Sequence, residues 1–427
     1  MRTQRTVRYA LTAAAACLLL FTWRGTARAA EPEDALEKGT HPACSTQLDR
    51  SGFDDGSGYE NERVSVETVK IGLRYGDNAV SYAEFSTGPD AVFSVGHYDG
   101  DRRFHETLNT GCDWLEAYLY EGKIHLGGRR FSESYDAAEG VAILPTEGGV
   151  TSFRGERYRG GIRLTAGEND TLIVTNFVAL EDYVKGVIPY EMSADWPLEA
   201  LRAQAVCART YVVYNQNKYE EYDFDLTGDT ESQVYRGLRY ATEVTDRAVD
   251  STEGQYVRYQ GEVCEIYYFA SDGGVTEDGK NVFGAERAYL TAKTDPFEDA
   301  VDYTGRTWTV WRDGEELSRR LRANEVEIGV VTDYEPVYSE FGNVIAGVYT
   351  DEKGNKVTLT ERDSYAFIGM SNCRFRVERE DGLFVFFGSG WGHNCGMSQW
   401  GARAMAEVYG YDCDDIIRFY YTGAYVG

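Results

Sequence analysis

The chain is short of positive charge. It sets only 43 Lys and Arg against 70 Asp and Glu, a formal charge of −27, which is the wrong sign for a partner that presents a phosphate backbone. Nucleic acid is therefore not an expected partner, and the acidity itself bears on solubility and names no substrate. The eight cysteines contain no Cys-x-x-Cys pair and lie too far apart for a disulfide-dense miniature scaffold. There is no internal repeat and no low-complexity tract. What is present, 42% hydrophobic and 26% charged residues over 427 positions, excludes a disordered polymer and a polytopic membrane protein. At roughly 100–200 residues per domain, two or three domains are expected.

Residues 1–30 read as a secretory signal. Arg2, Arg5 and Arg8 precede an apolar stretch from Ala10 to Trp23, and Thr26-Ala27-Arg28-Ala29-Ala30 offers small residues at cleavage spacing. The expected location is extracytoplasmic, secreted or anchored at the cell envelope. Seven cysteines remain beyond residue 30, and an odd number leaves at least one thiol unpaired or paired between molecules.

Residues 31–62 are polar and rich in Gly, Ser and Asp, so a solvated linker is expected there. From 63 to 145, short apolar runs such as Val69-Lys70-Ile71-Gly72-Leu73 alternate with turn residues and predict a small β-rich module. A domain from 146 to 427 follows, with a subregion inserted at 306–376. It opens on a hairpin, Tyr158 to Leu164 and Thr171 to Asn176, and a short helix from Leu180 that Pro189 should close. A longer helix is predicted from Pro197, capped by Asp195, with Leu198, Leu201, Ala205, Ala208 and Val212 on its buried stripe. Near the end, Gly388-Ser389-Gly390-Trp391-Gly392 fails as a dinucleotide loop, because His393 stands where the third glycine is needed.

Three blocks resemble the SpoIID/LytB family of bacterial cell-wall proteins. They are Leu180 to Tyr211 (LEDYVKGVIPYEMSADWPLEALRAQAVCARTY), Tyr268 to Glu277 (YFASDGGVTE), and Gly390 to Ala402 (GWGHNCGMSQWGA). They occur in the family's order, and the likeness spans about two thirds of the chain, from about 147 to 427. The resemblance implies an α+β fold with a groove for peptidoglycan glycan strands and a lytic transglycosylase activity in cell-wall remodelling, of the kind that sporulation members of the family carry. The catalytic acid of the family matches Glu191. Substrate-side roles are implied for Arg209, Tyr211, Ser271, Gly274, His393, Ser398 and Gln399, all within the three blocks. A non-catalytic glycan-binding enhancer of a cell-wall amidase is the alternative, and a merely structural exported domain is a third.

The chemistry of Glu191 agrees with the enzymatic reading. A lytic transglycosylase needs one carboxyl group that donates a proton to the glycosidic oxygen and then takes one from the muramic C6 hydroxyl. Tyr190, Met192 and Trp196 are apolar neighbours that would desolvate it and raise its pKa. Some sporulation members carry a zinc-holding Cys/His cluster before a Gln-Val-Tyr like Gln233-Val234-Tyr235. Here Thr227 to Ser232 contains no soft or imidazole ligand, so no metal is expected at that position, and the acid/base carboxyl calls for no cofactor.

Overall fold

The computed structural model describes residues 47–146 and 148–427; the expected signal lies outside them. Val69, Ile71 and Leu73 alternate inward along the strand Thr68–Arg74, as a half-buried strand requires. That strand joins Leu172–Ala179, Gly161–Ala166, Val141–Pro145, Phe93–Tyr98 and Phe104–Asn109 in a seven-stranded sheet, with Leu226–Thr227 added in parallel at one edge. A six-stranded antiparallel sheet runs from Glu156–Tyr158 to Phe131–Asp136. Inward residues of both sheets, among them Ile71, Val95, Leu115, Leu126 and Ile143, share one core.

The division expected at 145/146 therefore runs through a sheet. Ile143, on the first side, is in register with Ile162 on the second, and composition along the chain carries no trace of such pairing. Two helices pack on this framework, α1 (Leu180–Glu191) and α2 (Leu198–Tyr214). The predicted hairpin forms with Ile162 opposite Asn176. The mixed α and β elements agree with the expected class at that level.

The inserted subregion has its own core of Leu317, Leu321, Val331, Tyr349 and Phe386. It closes at Ser389, later than 376, because Leu383–Ser389 pairs with Thr307–Arg312 and brings Thr307 opposite Ser389. The described part of the expected linker, 47–62, is also not a free tether. Leu48 donates its N–H to the Tyr411 hydroxyl (2.7 Å), Arg50 pairs with Asp415, and the Tyr59 ring stacks on Tyr425 at 6.3 Å. A few anchoring side chains within polar surroundings suffice to hold it. Among the described residues no helix is long and apolar enough to cross a membrane.

Candidate active site

Helix α1 ends on Glu191 and passes through Pro189. A proline in the last turn forfeits a single N–H bond, and the Met192 N–H still reaches the Ile188 carbonyl at 3.0 Å, so the helix continues one turn beyond its expected stop. Glu191 is thereby held at a helix C-terminus, where the backbone dipole disfavours an anion, and it is only 3% exposed. Burial pushes its pKa up to about 8, against opposing hydrogen bonds from Gln399 and Tyr268. At neutral pH the carboxyl is mostly protonated, the state required of a general acid.

A chain of polar side chains surrounds it. Gln399 donates Nε2–H to Glu191 Oε2 at 3.0 Å and lies 3.3 Å from Gln204 Oε1. On the other side the Tyr183 hydroxyl donates to Gln233 Oε1 (3.1 Å), and Gln233 donates to the Tyr268 hydroxyl (2.7 Å). All six residues are buried. Such a network fixes one rotamer of the acid, since every alternative strands a buried polar group.

Of the residues read from the sequence, Gln399 hydrogen-bonds Glu191. Arg209 is fully buried on α2 and its guanidinium is consumed by Glu181, at 2.8 and 2.6 Å, and by the Val249 and Gln255 carbonyls. It ties α2 to α1 and has no face for a sugar. The reason is that α2 is buried around nearly its whole circumference from Ala200 to Val212, so more than one stripe is covered. Pro197 occupies the N-cap with no side-chain cap, so Asp195 does not serve as one. Tyr211 is likewise in the core, its hydroxyl 3.4 Å from Lys218 Nζ.

His393 is buried. Its Nδ1 accepts the Cys395 N–H (3.2 Å), which leaves Nε2–H to donate to the Tyr268 carbonyl (2.9 Å). Burial, with Arg362 nearby, lowers its pKa to about 3, so the ring is neutral and anchors the strand that carries Tyr268.

Ser271, Gly274 and Ser398 gather instead around three buried acids, Asp272, Asp295 and Glu298, whose oxygens lie within 4.8 Å of one another. Ser271 donates to Glu298 Oε1 (2.5 Å), Ser398 to Glu298 Oε2 (2.9 Å), and Tyr420 to Asp295 (2.5 Å). Gly274, at φ +104°, donates its N–H to Asp272 Oδ1 (2.6 Å). Burial and the neighbouring carboxylates drive the Asp272 carboxyl far upward, whereas hydrogen bonds from Asp272, Ser271 and Tyr303 outweigh burial at Glu298 and lower it. The trio thus holds a proton between its members. Its oxygens are the type that hard cations take, but most already serve as hydrogen-bond acceptors that lock the Ser271 loop to the Gln399–Glu407 helix. Tyr268, Gln233 and Gln204 were missed from the sequence, although Gln204 stands out as an amide between Ala203 and Ala205.

A family profile described as Stage II sporulation protein matches residues 168–259. Stage II sporulation protein D of Bacillus subtilis is 30% identical over 267 residues, covering 58% of this chain and 74% of that protein. The chain belongs to the SpoIID/LytB family. An uncharacterized protein of Brachyspira hyodysenteriae is 36% identical over 67% of this chain and 76% of its own length. The Amidase enhancer of Bacillus subtilis is 27% identical over 56% of this chain and 39% of that relative. Within this SpoIID/LytB chain the profile match takes in α1, Glu191, α2 and Gln233, the elements that build one wall around the acid.

Proposed function

We propose that this chain is a lytic transglycosylase that cleaves the bond between N-acetylmuramic acid and N-acetylglucosamine in peptidoglycan glycan strands, outside the cytoplasm. The observation that carries the reading is a buried, protonated glutamic acid held by Gln399 and the Gln233–Tyr268 pair. Glu191 gives its proton to the glycosidic oxygen as the C1–O bond breaks. The resulting carboxylate then takes the C6 hydroxyl proton while O6 closes on C1 and forms the 1,6-anhydro ring. No water enters, and the proton returns to Glu191, so one carboxyl suffices. A hydrolase would need a second carboxyl at ~5–9.5 Å. Trp400, next to Gln399, stacks on Tyr303 at 4.0 Å and meets Trp196 at 4.8 Å. These half-buried rings form an aromatic cluster with Arg403 over Trp400 and Trp196 at 5.0 and 5.4 Å.

The second reading, a glycan-binding enhancer of a cell-wall amidase, draws on the burial of Glu191 and on the relative that bears that name. Glu191→Gln separates the two. Under the enzymatic reading the variant binds glycan and loses turnover by about 10⁴-fold, the upper end for general acid–base groups. Equal turnover in both proteins removes Glu191 from the chemistry, and no turnover in either favours the enhancer.

A further inference from the structure

Glu298 stands outside the three sequence blocks, yet it holds the elements that present the acid's partner. It is fully buried, and each of its oxygens accepts two hydrogen bonds. Oε1 takes the hydroxyls of Ser271 and Tyr303 (2.5 and 2.7 Å), and Oε2 takes the Asp272 N–H and the Ser398 hydroxyl (both 2.9 Å). The Ser398 bond leads toward Glu191. Ser398 caps the helix Gln399–Glu407, its Oγ accepting the Gly401 N–H at 3.1 Å. A hydroxyl has one proton to give, and the Ala270 carbonyl lies farther off at 3.4 Å. With the proton on the Glu298 side, a lone pair faces the helix end. The next two residues are Gln399, which donates to Glu191 Oε2 at 3.0 Å, and Trp400, whose ring stacks on Tyr303.

Counting donors places the proton that the three acids share. Asp295 is supplied by the Phe297 and Glu298 N–H groups on Oδ1 and by the Tyr420 hydroxyl on Oδ2. Glu298 is supplied on both oxygens. Asp272 Oδ1 accepts the Gly274 N–H, but among the described residues no N–H or hydroxyl donates to its buried Oδ2. An ionised oxygen left in this way would bear the full cost of lost hydration. Protonated, it becomes a donor, and the Asp272 side chain does hydrogen-bond Glu298. Asp272 is thus the neutral member beside a charged Glu298.

We propose that Glu298 is a positioning residue for the acid: as a carboxylate it fixes the Ser398 cap, and with it Gln399 against Glu191, while Asp272 serves as its neutral donor. The inference deepens the transglycosylase reading, on which the role of Glu191 as the acid rests, but its test does not depend on turnover. Gln399 stabilises the Glu191 carboxylate only while its amide is aimed at Oε2. A hydrogen bond to a charged oxygen is worth about tenfold or more in an ionisation constant. Glu298→Gln sets an NH₂ group against groups that are themselves donors, so Ser271, Ser398 and the Asp272 N–H can no longer all find an acceptor.

Carbon NMR of the glutamate side-chain carboxyls, followed in the full chain from pH 5 to 10, decides it; the Glu191 signal is the one lost in Glu191→Gln. In Glu298→Gln the Glu191 titration midpoint should move up by about one pH unit or more. Ser398→Ala, which cuts the same path without changing a charge, should move it in the same direction. Asp272→Asn should leave it in place, because an amide keeps both the acceptor for Gly274 and the donor for Glu298. Glycan cleavage should slow about tenfold in the first two variants with KM unchanged. A folded Glu298→Gln or Ser398→Ala protein whose Glu191 titrates as in the native chain overturns the proposal, since a merely structural role would alter melting alone. Asp272→Asn moving the midpoint as far as Glu298→Gln overturns it as well. The expected shifts in a chain that cleaves no glycan uphold the positioning role and refute the transglycosylase reading instead.

Discussion

Replacing Glu191 by Gln should change the pH dependence of stability in a manner fixed by the burial of that one carboxyl. Its folded pKa is about 8 against an ordinary 4.5. Between those values the folded protein keeps a proton that the unfolded chain releases, so native stability falls as pH rises. The slope from this group approaches about 1.4 kcal/mol per pH step, and the accumulated loss by pH 8 is a few kcal/mol. Glutamine has the same shape, can accept from Gln399 or Tyr268, and does not titrate. Denaturant unfolding of both proteins, taken at intervals from pH 4 to 9, isolates the effect as a difference in which all other titrating groups cancel. The variant should gain on the native chain steadily from pH 4.5 to 8 and level off above. A flat difference across this window would mean that Glu191 titrates as an ordinary surface carboxyl, and the general-acid argument would lose its basis.

Glu181→Gln should destabilise the fold, because it leaves the Arg209 guanidinium buried without its partner. Breaking a buried pair costs roughly 3–5 kcal/mol, and the 24% exposure of the Glu181 side chain places the cost at the low end of that range, read as a lowered Tm. Ala208→Leu, at a fully buried position of α2, should cost ~1–3 kcal/mol by overpacking; unchanged denaturant unfolding would contradict the packing of that face. His393, with its pKa lowered to about 3 by burial, should remain neutral with the proton on Nε2 at pH 5, as nitrogen NMR of the ring would report. A charged ring at pH 5 would contradict its anchoring role.

Much of the local structure was legible, because periodicity and turn chemistry act over few residues. The hairpin of Gly161–Ala166 and Leu172–Ala179 stands where the sequence placed it, except that Tyr158 pairs with Thr151 in the other sheet. Pro189 misled, because the cost of a proline depends on which turn of the helix it occupies. Arg209, Tyr211 and His393 were read as substrate residues from their place in the family blocks. A motif marks that a side chain is needed without telling whether it faces ligand or core: Glu181, which occupies Arg209, lies 28 positions earlier in the chain. The pairing of Ser271 and Ser398 on Glu298 was equally invisible, since that glutamate sits outside every block that drew attention.

Cleavage of glycan by one carboxyl, Glu191, without water is read from the mass of the released ends. Purified chain should be incubated with intact and with peptide-free glycan strands, and the fragments weighed. Fragments should end in 1,6-anhydromuramic acid, lighter than hydrolysis products by one water, and such ends should be absent when Glu191→Gln is used. Reducing ends that carry the extra water would contradict it and point to a hydrolase with a second carboxylate.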